Sequence, residues 1–193
     1  MSRSKLCRDK RGVAALEFAI LAPVLLLLLL ATTDLVFWMR TWLRMEQTVS
    51  EMTQIITQYN TLYTSDFTAT FYPLAQIAVG SAALTCGGGG MVVTGIDNSS
   101  GIPAVSWQWS SGACASSSFI KTINSKTTLA MPGSYVPPSG YSVIVVELFT
   151  TQPEYVFSQG IMATTGLSNI STYAAAMPRS GTLPTLTSGN RPS

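Results

Sequence analysis

The first apolar segment of the chain is long enough to cross a membrane. From Val13 to Ala31 the only charged residue is Glu17, and Val24 to Leu30 is an unbroken aliphatic block. About 20 apolar residues in a helix span the hydrocarbon core of a bilayer. A cleavable secretory signal would instead close a shorter apolar stretch with small residues. Here Ala31 is followed by Thr-Thr-Asp and then by more apolar residues, so we expect the segment to be retained as an anchor.

A seam of apolar residues continues the predicted helix beyond the membrane. Its members recur at alternating steps of three and four: Leu35, Trp38, Trp42, Met45, Val49, Met52, Ile56, Tyr59 and Tyr63. This heptad-like seam predicts one helix from Val13 to near Gln58, about 70 Å long at 1.5 Å per residue. Either the whole seam packs on the chain's own domain, or its upper part does so while its lower part meets helices of other chains. Trp38 and Trp42 also suit the far membrane interface.

Strand-like segments dominate the outer part of the chain. The apolar pattern predicts strands over 91–96, 104–109 and 141–149, the last central because both its faces look buried, and a shorter strand over 154–157 beside it. A second helix is predicted from Phe71 to Leu84. The fold class is therefore α+β, with a three- or four-stranded antiparallel sheet packed on the outer half of the long N-terminal transmembrane helix. Residues 161–176 are predicted to form one weak element, and the last fifteen or so residues to be loosely ordered.

The pattern divides the chain into three parts with different charge. Residues 1–12 are a basic cytoplasmic leader, 13–63 the transmembrane and extended amphipathic helix, and 64–193 an extracytoplasmic α+β domain with a loose C-terminal tail. The leader holds five of the eleven basic residues and one of the nine acidic residues, so the remaining chain has a net charge of −2. The basic charge therefore keeps the N-terminus in the cytoplasm and is no reason to expect nucleic-acid binding.

The composition offers little for catalysis or for a metal site. The chain has no histidine, which removes the usual general base and a common metal ligand. Glu147 and Glu154 are the only acids in the strand region, and we interpret them as a solvated sheet edge or as partners of Arg179. Residues 87–90 are four glycines, but the Lys-Ser/Thr pair of a phosphate-binding loop is missing. We expect no enzyme activity, no cofactor and no metal.

The three cysteines fall on two sides of the predicted membrane. Cys7 lies in the leader and stays reduced in the cytoplasm, whereas Cys86 and Cys114 are an even pair in an oxidising compartment. A disulfide between them would close a loop of about 28 residues and contribute roughly 3 kcal/mol in the chain-entropy model. Two free buried thiols are the alternative.

The sequence around Gly12 resembles the processing site of type IV pilins and their relatives. Residues 10–18, Lys-Arg-Gly-Val-Ala-Ala-Leu-Glu-Phe, place a glycine after basic residues and a glutamate at the fifth position after it. The resemblance implies that a prepilin peptidase cuts between Gly12 and Val13. It also implies that Glu17 acts in filament assembly, as a counterion for the new α-amino group of Val13. From its position alone, Glu17 could equally lie at the cytoplasmic interface of the membrane.

More specifically, residues 12–26 resemble the opening of the TadE-like family of pseudopilins of the tight-adherence, or Flp, pilus. Glu17-Phe18-Ala19 followed by Pro23 is the strongest part of the match. Residues 141–149, with Pro153 after them, resemble a late strand of that family, and Met177-Pro178-Arg179 resembles its arginine-containing tail.

The TadE-like resemblance implies a role and a place in the cell. The role is that of a minor pilin or pseudopilin acting in assembly of a tight-adherence pilus for surface attachment. The implied partners are a prepilin peptidase, other pilin or pseudopilin subunits, and the pilus assembly platform. The protein would cross the bacterial inner membrane once, with its outer domain in the periplasm or in the extracellular pilus. The alternative is a signal-anchored periplasmic binding module that is not processed and does not enter a filament.

Overall fold

The computed structural model describes residues 10–79, 89–111, 118–120, 136–151 and 169–191. A single helix, α1 (Lys10–Ile56), takes up the first 47 of them. At 1.5 Å per residue, α1 is about 70 Å long. It includes the predicted start at Val13 and ends close to the predicted Gln58, so the long helix is confirmed.

After α1, the short strand β1 (Thr61–Tyr63) leads into a helical segment. This segment consists of the single turn α2 (Thr64–Asp66), a π-helical turn (Phe67–Phe71) and α3 (Tyr72–Val79). At its start, Tyr63 N donates a hydrogen bond to Asp66 Oδ2 at 3.0 Å, which satisfies a backbone N–H that the helix itself leaves unpaired. The helix predicted over 71–84 is present as far as Val79, and its last residues lie outside the described residues.

Four antiparallel strands form the main sheet: β2 (Gly89–Asp97), β3 (Ala104–Ser110), β4 (Ser142–Thr151) and β5 (Asn169–Ala176). Their order is β3-β2-β4-β5, so β4 is central, as its continuous apolar run predicts. Within β4, Val145 pairs with Thr94 on one side and with Ala175 on the other. The described neighbour of β4 on that second side is thus β5; residues 154–157 lie outside the described residues. The helix and the sheet together confirm the α+β fold class.

The main core lies between α1 and one face of the sheet. Four residues of the α1 seam are buried there, Met45, Val49, Met52 and Ile56. They meet the inward side chains of the sheet and of the helical segment, namely Met91, Val93, Ile144, Val146, Leu148, Ile170, Phe67, Phe71, Ala75 and Val79. Trp38, Trp42 and Tyr59 pack partly buried against the same core. The seam therefore packs on the chain's own domain, except at its lower end, where Leu35 is 54% exposed.

Gly95 allows a tryptophan to cross close to the backbone of β2. It pairs with Trp107 of β3, and a Cβ atom at Gly95 would lie 2.5 Å from Trp107 Cε2. Trp107 Nε1 donates a hydrogen bond to Pro184 O at 2.8 Å. Phe67 stacks on Trp109 with 5.0 Å between ring centroids. These contacts tie β3 to the helical segment and to the C-terminal residues.

The opposite face of the sheet is covered in part by residues 118–120. Ile96, Ile120, Val143 and Val145 form a second buried cluster there. Glu147 of β4 is fully buried on the same face, although the sequence pattern predicted a solvated edge or a partner of Arg179. That prediction is wrong, because β4 is a central strand and Arg179 is exposed.

The C-terminal residues are held by backbone pairing and one arginine. β6 (Thr185–Thr187) pairs in parallel with β1. Arg179 N donates to Thr57 O just beyond the end of α1. Arg191 Nη2 forms an ion pair with Asp66 Oδ2 at 3.0 Å, and its guanidinium group lies 5.2 Å from the centroid of the Tyr59 ring. This arrangement differs from the expected loose tail. A segment of Ser, Thr, Gly and Pro has no apolar period from which such anchoring could be predicted.

Candidate assembly site on the N-terminal helix

The N-terminal half of α1 stands clear of the rest of the described chain. Residues 13–33 are exposed or half-buried, and the buried face of the helix begins at Asp34, which is 0% exposed. The stretch is about 31 Å long, which matches the roughly 30 Å hydrocarbon core of a bilayer. Within the described residues, Val13–Ile56 is one helix apolar and long enough to span a membrane, and none of its most apolar window is buried. The chain therefore has one N-terminal apolar helix that could serve as the anchor.

Glu17 is the only charged residue in the exposed stretch. It lies one helical turn from Val13, about 6 Å along the axis, and residues four apart share one side of a helix. Its apolar neighbours Leu16 and Phe18 are more than half exposed. Over the described ranges, Glu17 forms no hydrogen bond and no ion pair. Any partner for its carboxylate must come from another chain, from the membrane interface or from the N-terminus that processing would create.

The Gly12–Val13 peptide bond joins the third and fourth described residues of α1. Glycine is a poor helix former, less favourable than alanine by about 1 kcal/mol in a helix interior. A cut after Gly12 would leave Val13–Ile56 as one continuous apolar helix. The predicted cleavage site can therefore be removed without interrupting the anchor.

An apolar stripe continues above the membrane-length stretch, on the side of α1 away from the domain. Its members Leu35, Met39 and Leu43 are spaced by four residues and are 54%, 54% and 44% exposed; we call them the outer stripe. The same side of the helix becomes polar at the exposed residues Glu46 and Ser50. Exposed apolar surface thus extends over residues 13–43, about 46 Å, whereas the hydrocarbon core covers about 30 Å. The hydrocarbon core of a bilayer can therefore cover only part of this apolar surface at one time.

The other predicted site residues are not part of this helix surface. Cys86 and Cys114 lie outside the described residues, so their pairing stays a prediction. In the part of the chain that the structure describes, no cluster of three or more acidic or cysteine side chains could hold a metal ion. Trp38 and Trp42, expected at the membrane interface, stack in parallel with 6.5 Å between ring centroids. Sequence reasoning did not predict that Asp34 is buried. The available signal was a single acid between two apolar runs, at the point where the helix meets the domain.

Comparison with known proteins identifies this helix as the recognisable part of the chain. A family model described as TadE-like protein matches residues 12–52. The match begins at the predicted cleavage glycine and runs into the part of α1 that packs on the domain. It confirms the TadE-like resemblance over this helix and connects the chain with tight-adherence pilus systems. Among curated proteins and among solved structures, none matches the chain.

Proposed function

With the TadE-like segment at residues 12–52 as the premise, we propose that the chain is a minor pilin or pseudopilin acting in assembly of a tight-adherence pilus for surface attachment. One observation carries this proposal: a TadE-like helix of membrane length whose apolar side chains are exposed along its N-terminal half. Such a helix is covered by lipid before assembly and by other pilin or pseudopilin subunits afterwards. The prepilin peptidase and the pilus assembly platform are its other partners.

Processing supplies the partner that Glu17 needs. An ionised side chain at the bilayer centre costs about 2.5–3.5 kcal/mol on insertion scales, and such groups are usually paired. A cut between Gly12 and Val13 leaves an α-amino group one helical turn from Glu17. The two opposite charges pair within one subunit or between neighbouring subunits, where each offsets the desolvation of the other. The new first turn also favours a carboxylate, because the helix dipole is positive at that end.

The outer stripe provides an apolar contact beyond the membrane-length stretch of α1. Leu35, Met39 and Leu43 lie on the side of α1 that the domain leaves uncovered. When subunits leave the bilayer, the exposed stretch of α1 loses its lipid cover, and helices of neighbouring subunits replace it. The outer stripe extends that contact by about two helical turns. The buried core between the other side of α1 and the sheet stays intact during this exchange.

A second candidate function is a signal-anchored periplasmic binding module. The observation in its favour is that the described part of the outer domain has a core of its own, built on Met45–Ile56 and the sheet. Such a module would not be processed and would not enter a filament. An enzyme is a poorer candidate, because the chain has no histidine to act as a general base.

The intact mass of the membrane-extracted protein separates these candidates. We would express the chain with and without the prepilin peptidase and include the variant Gly12→Leu. The pilin proposal requires a chain that begins at Val13 only when the peptidase is present, and an uncut Gly12→Leu variant. Retention of residues 1–12 in both wild-type samples would remove the proposal and favour the anchored module. Cutting of the Gly12→Leu variant at the same bond would remove Gly12 from the processing site.

The variant Glu17→Ala tests the assembly role separately from processing. We expect normal membrane insertion, because the change removes a charge from the anchor, and a loss of assembled pili. Glu51→Ala is the matched control, since Glu51 is an exposed acid on the outer half of the same helix. Normal piliation of the Glu17→Ala strain would contradict the role of Glu17 while leaving the mass result valid.

A further inference from the structure

A buried carboxyl group fastens residues 118–120 to the outer face of the sheet. Glu147 lies on the central strand β4, opposite Val92 of β2 and Tyr173 of β5, and is 0% exposed. Its Oε2 atom contacts Ser118 Oγ, and its Oε1 atom accepts a hydrogen bond from Phe119 N at 2.7 Å. Two of the three residues in this segment are therefore bound directly by one side chain.

We propose that Glu147 is a pH-dependent latch: its protonated carboxyl group holds residues 118–120 on the sheet, and its ionisation loosens them. The latch is independent of the N-terminal helix and of the proposed pilus function.

The hydrogen-bond geometry at Ser118 suits a protonated carboxyl. Ser118 Oγ lies 2.9 Å from Ile120 O and 3.0 Å from Ile120 N, in addition to its contact with Glu147. A hydroxyl group has one proton to donate and two lone pairs to accept with. When Glu147 is protonated, it donates to Ser118 Oγ, which also accepts from Ile120 N and donates to Ile120 O. Every polar group of the segment that points at this cluster is then satisfied.

Ionisation removes one donor from the same cluster. The Ser118 proton then turns to the carboxylate, and Ile120 O keeps only the hydrogen bond from Gln108 Nε2 at 3.1 Å. The carboxylate is meanwhile held in a site from which water is excluded. A buried charge without an opposite charge is costly unless water can reach it. Displacing residues 118–120 is the direct way to admit water, because this segment covers the carboxyl group.

Among the described residues, the groups that face Glu147 provide no compensating charge. The facing residue is Val92 on β2 and Tyr173 on β5, and residues 118–120 contribute Ser118, Phe119 and Ile120. Of these residues in the described ranges, none is Asp, Glu, Lys or Arg, and Tyr173 is the only one with a titratable side chain. Burial raises the pKa of Glu147 above its ordinary value of 4.5, and it outweighs the hydrogen bonds from Ser118 and the backbone, which act in the opposite direction.

Opening the latch would change the surface of the outer domain. The ring centroid of Phe119 lies 5.9 Å from that of Phe149 and 6.0 Å from that of Tyr173, on the solvent side of the segment. Ile120 of the same segment packs with Val143 and Val145 in the second buried cluster. Loosening residues 118–120 would therefore separate this aromatic group and expose apolar residues of β4.

Amide hydrogen exchange of the full chain in detergent micelles tests the latch. We would measure protection factors, corrected for intrinsic exchange, at Phe119 and Ile120 between pH 4 and 8. In the wild type, protection at both amides should fall by up to about tenfold per pH unit between 4.5 and the raised pKa, and level off above it, because one proton is linked to closing. In Glu147→Gln, whose amide keeps both hydrogen-bond roles without titrating, protection should not change with pH. Glu51→Gln, an exposed control, should behave as the wild type.

Two outcomes would overturn the proposal. One is constant protection at Phe119 and Ile120 of the wild type from pH 4 to 8. The other is the same fall with pH in Glu147→Gln as in the wild type. Titration of the Glu147 side-chain carbon by NMR in the wild type gives a test that does not depend on the folding of any variant. A midpoint above 4.5 supports the latch, and one at or below 4.5 excludes it.

Discussion

Polar substitution of the outer stripe should weaken pilus assembly without changing the stability of the outer domain. The double variant Met39→Gln, Leu43→Gln replaces two apolar side chains on the uncovered side of α1 with polar ones of similar length. Both residues are about half exposed. Neither belongs to the buried clusters that α1 forms with the sheet.

The expected magnitude follows from the surface that each side chain still exposes. Fully burying a leucine or methionine is worth about 1.5–3 kcal/mol. Because about half of each side chain remains to be covered, the two together contribute about 1.5–3 kcal/mol when a neighbouring helix packs on them. Since 1.4 kcal/mol is a factor of ten in an equilibrium constant, we expect subunit association to weaken at least about tenfold.

Counting pili by electron microscopy, with the sheared pilus fraction quantified in parallel, measures this loss. The matched control is Ser50→Gln, an exposed position on the same side of α1 about two turns from Leu43. The control should assemble normally, because that part of the helix is already polar. The thermal midpoint of the outer domain should be unchanged in all variants, because substitutions at exposed sites usually shift stability by less than 0.5 kcal/mol. Normal piliation of the double variant would refute the outer stripe as a subunit contact.

Three further predictions concern the outer domain. Gly95→Ala should destabilise it by about 1–3 kcal/mol in thermal unfolding, because the new Cβ overlaps Trp107; addition of Trp107→Leu should recover part of that loss. Glu147→Gln should match the wild type near pH 4 and be more stable than the wild type at pH 7–8. The raised pKa of Glu147 means that its ionisation destabilises the folded wild type, whereas glutamine does not ionise. The wild type extracted from an oxidising compartment should resist thiol alkylation at Cys86 and Cys114 until it is reduced, whereas alkylation without reductant would show two free thiols.

The elements that the sequence predicted best are those whose burial leaves a strong apolar pattern. The long helix is visible because its seam repeats over many turns, and β4 because both of its faces are covered. A strand buried on both sides reads as a continuous apolar run, which is the pattern of residues 141–149. The contact between Gly95 and Trp107 is one that no local pattern predicts. The Trp107 ring occupies the space that a side chain at Gly95, on the neighbouring strand, would fill.

Segments stabilised mainly by backbone pairing were harder to predict. β5 consists of small and polar residues, so its sequence gave only a weak signal, and the pairing of eight residues with β4 makes it a strand. β6 has three residues and pairs in parallel with β1, more than a hundred positions away in the chain. Glu147 was misjudged for a related reason. Its burial depends on Ser118 and Phe119, which no spacing rule connects with it.

At Asp34, α1 changes from a stretch that the domain leaves uncovered to one that packs on the domain. The sequence was enough to propose an assembly site on this helix, but it did not predict where that change lies. Apolar residues continue across this division, because a helix needs apolar side chains whether its cover is its own domain, lipid or another chain. Leu35 is the first residue of the seam and is nevertheless exposed, whereas Met45, in the same seam, is fully buried. Only the three-dimensional structure separates the two kinds of cover. We therefore expect substitutions at buried seam residues to lower stability, and those at residues 13–33 and in the outer stripe to reduce the proposed assembly at constant stability. A variant at Met39 that lowered the thermal midpoint as much as one at Met45 would contradict this division.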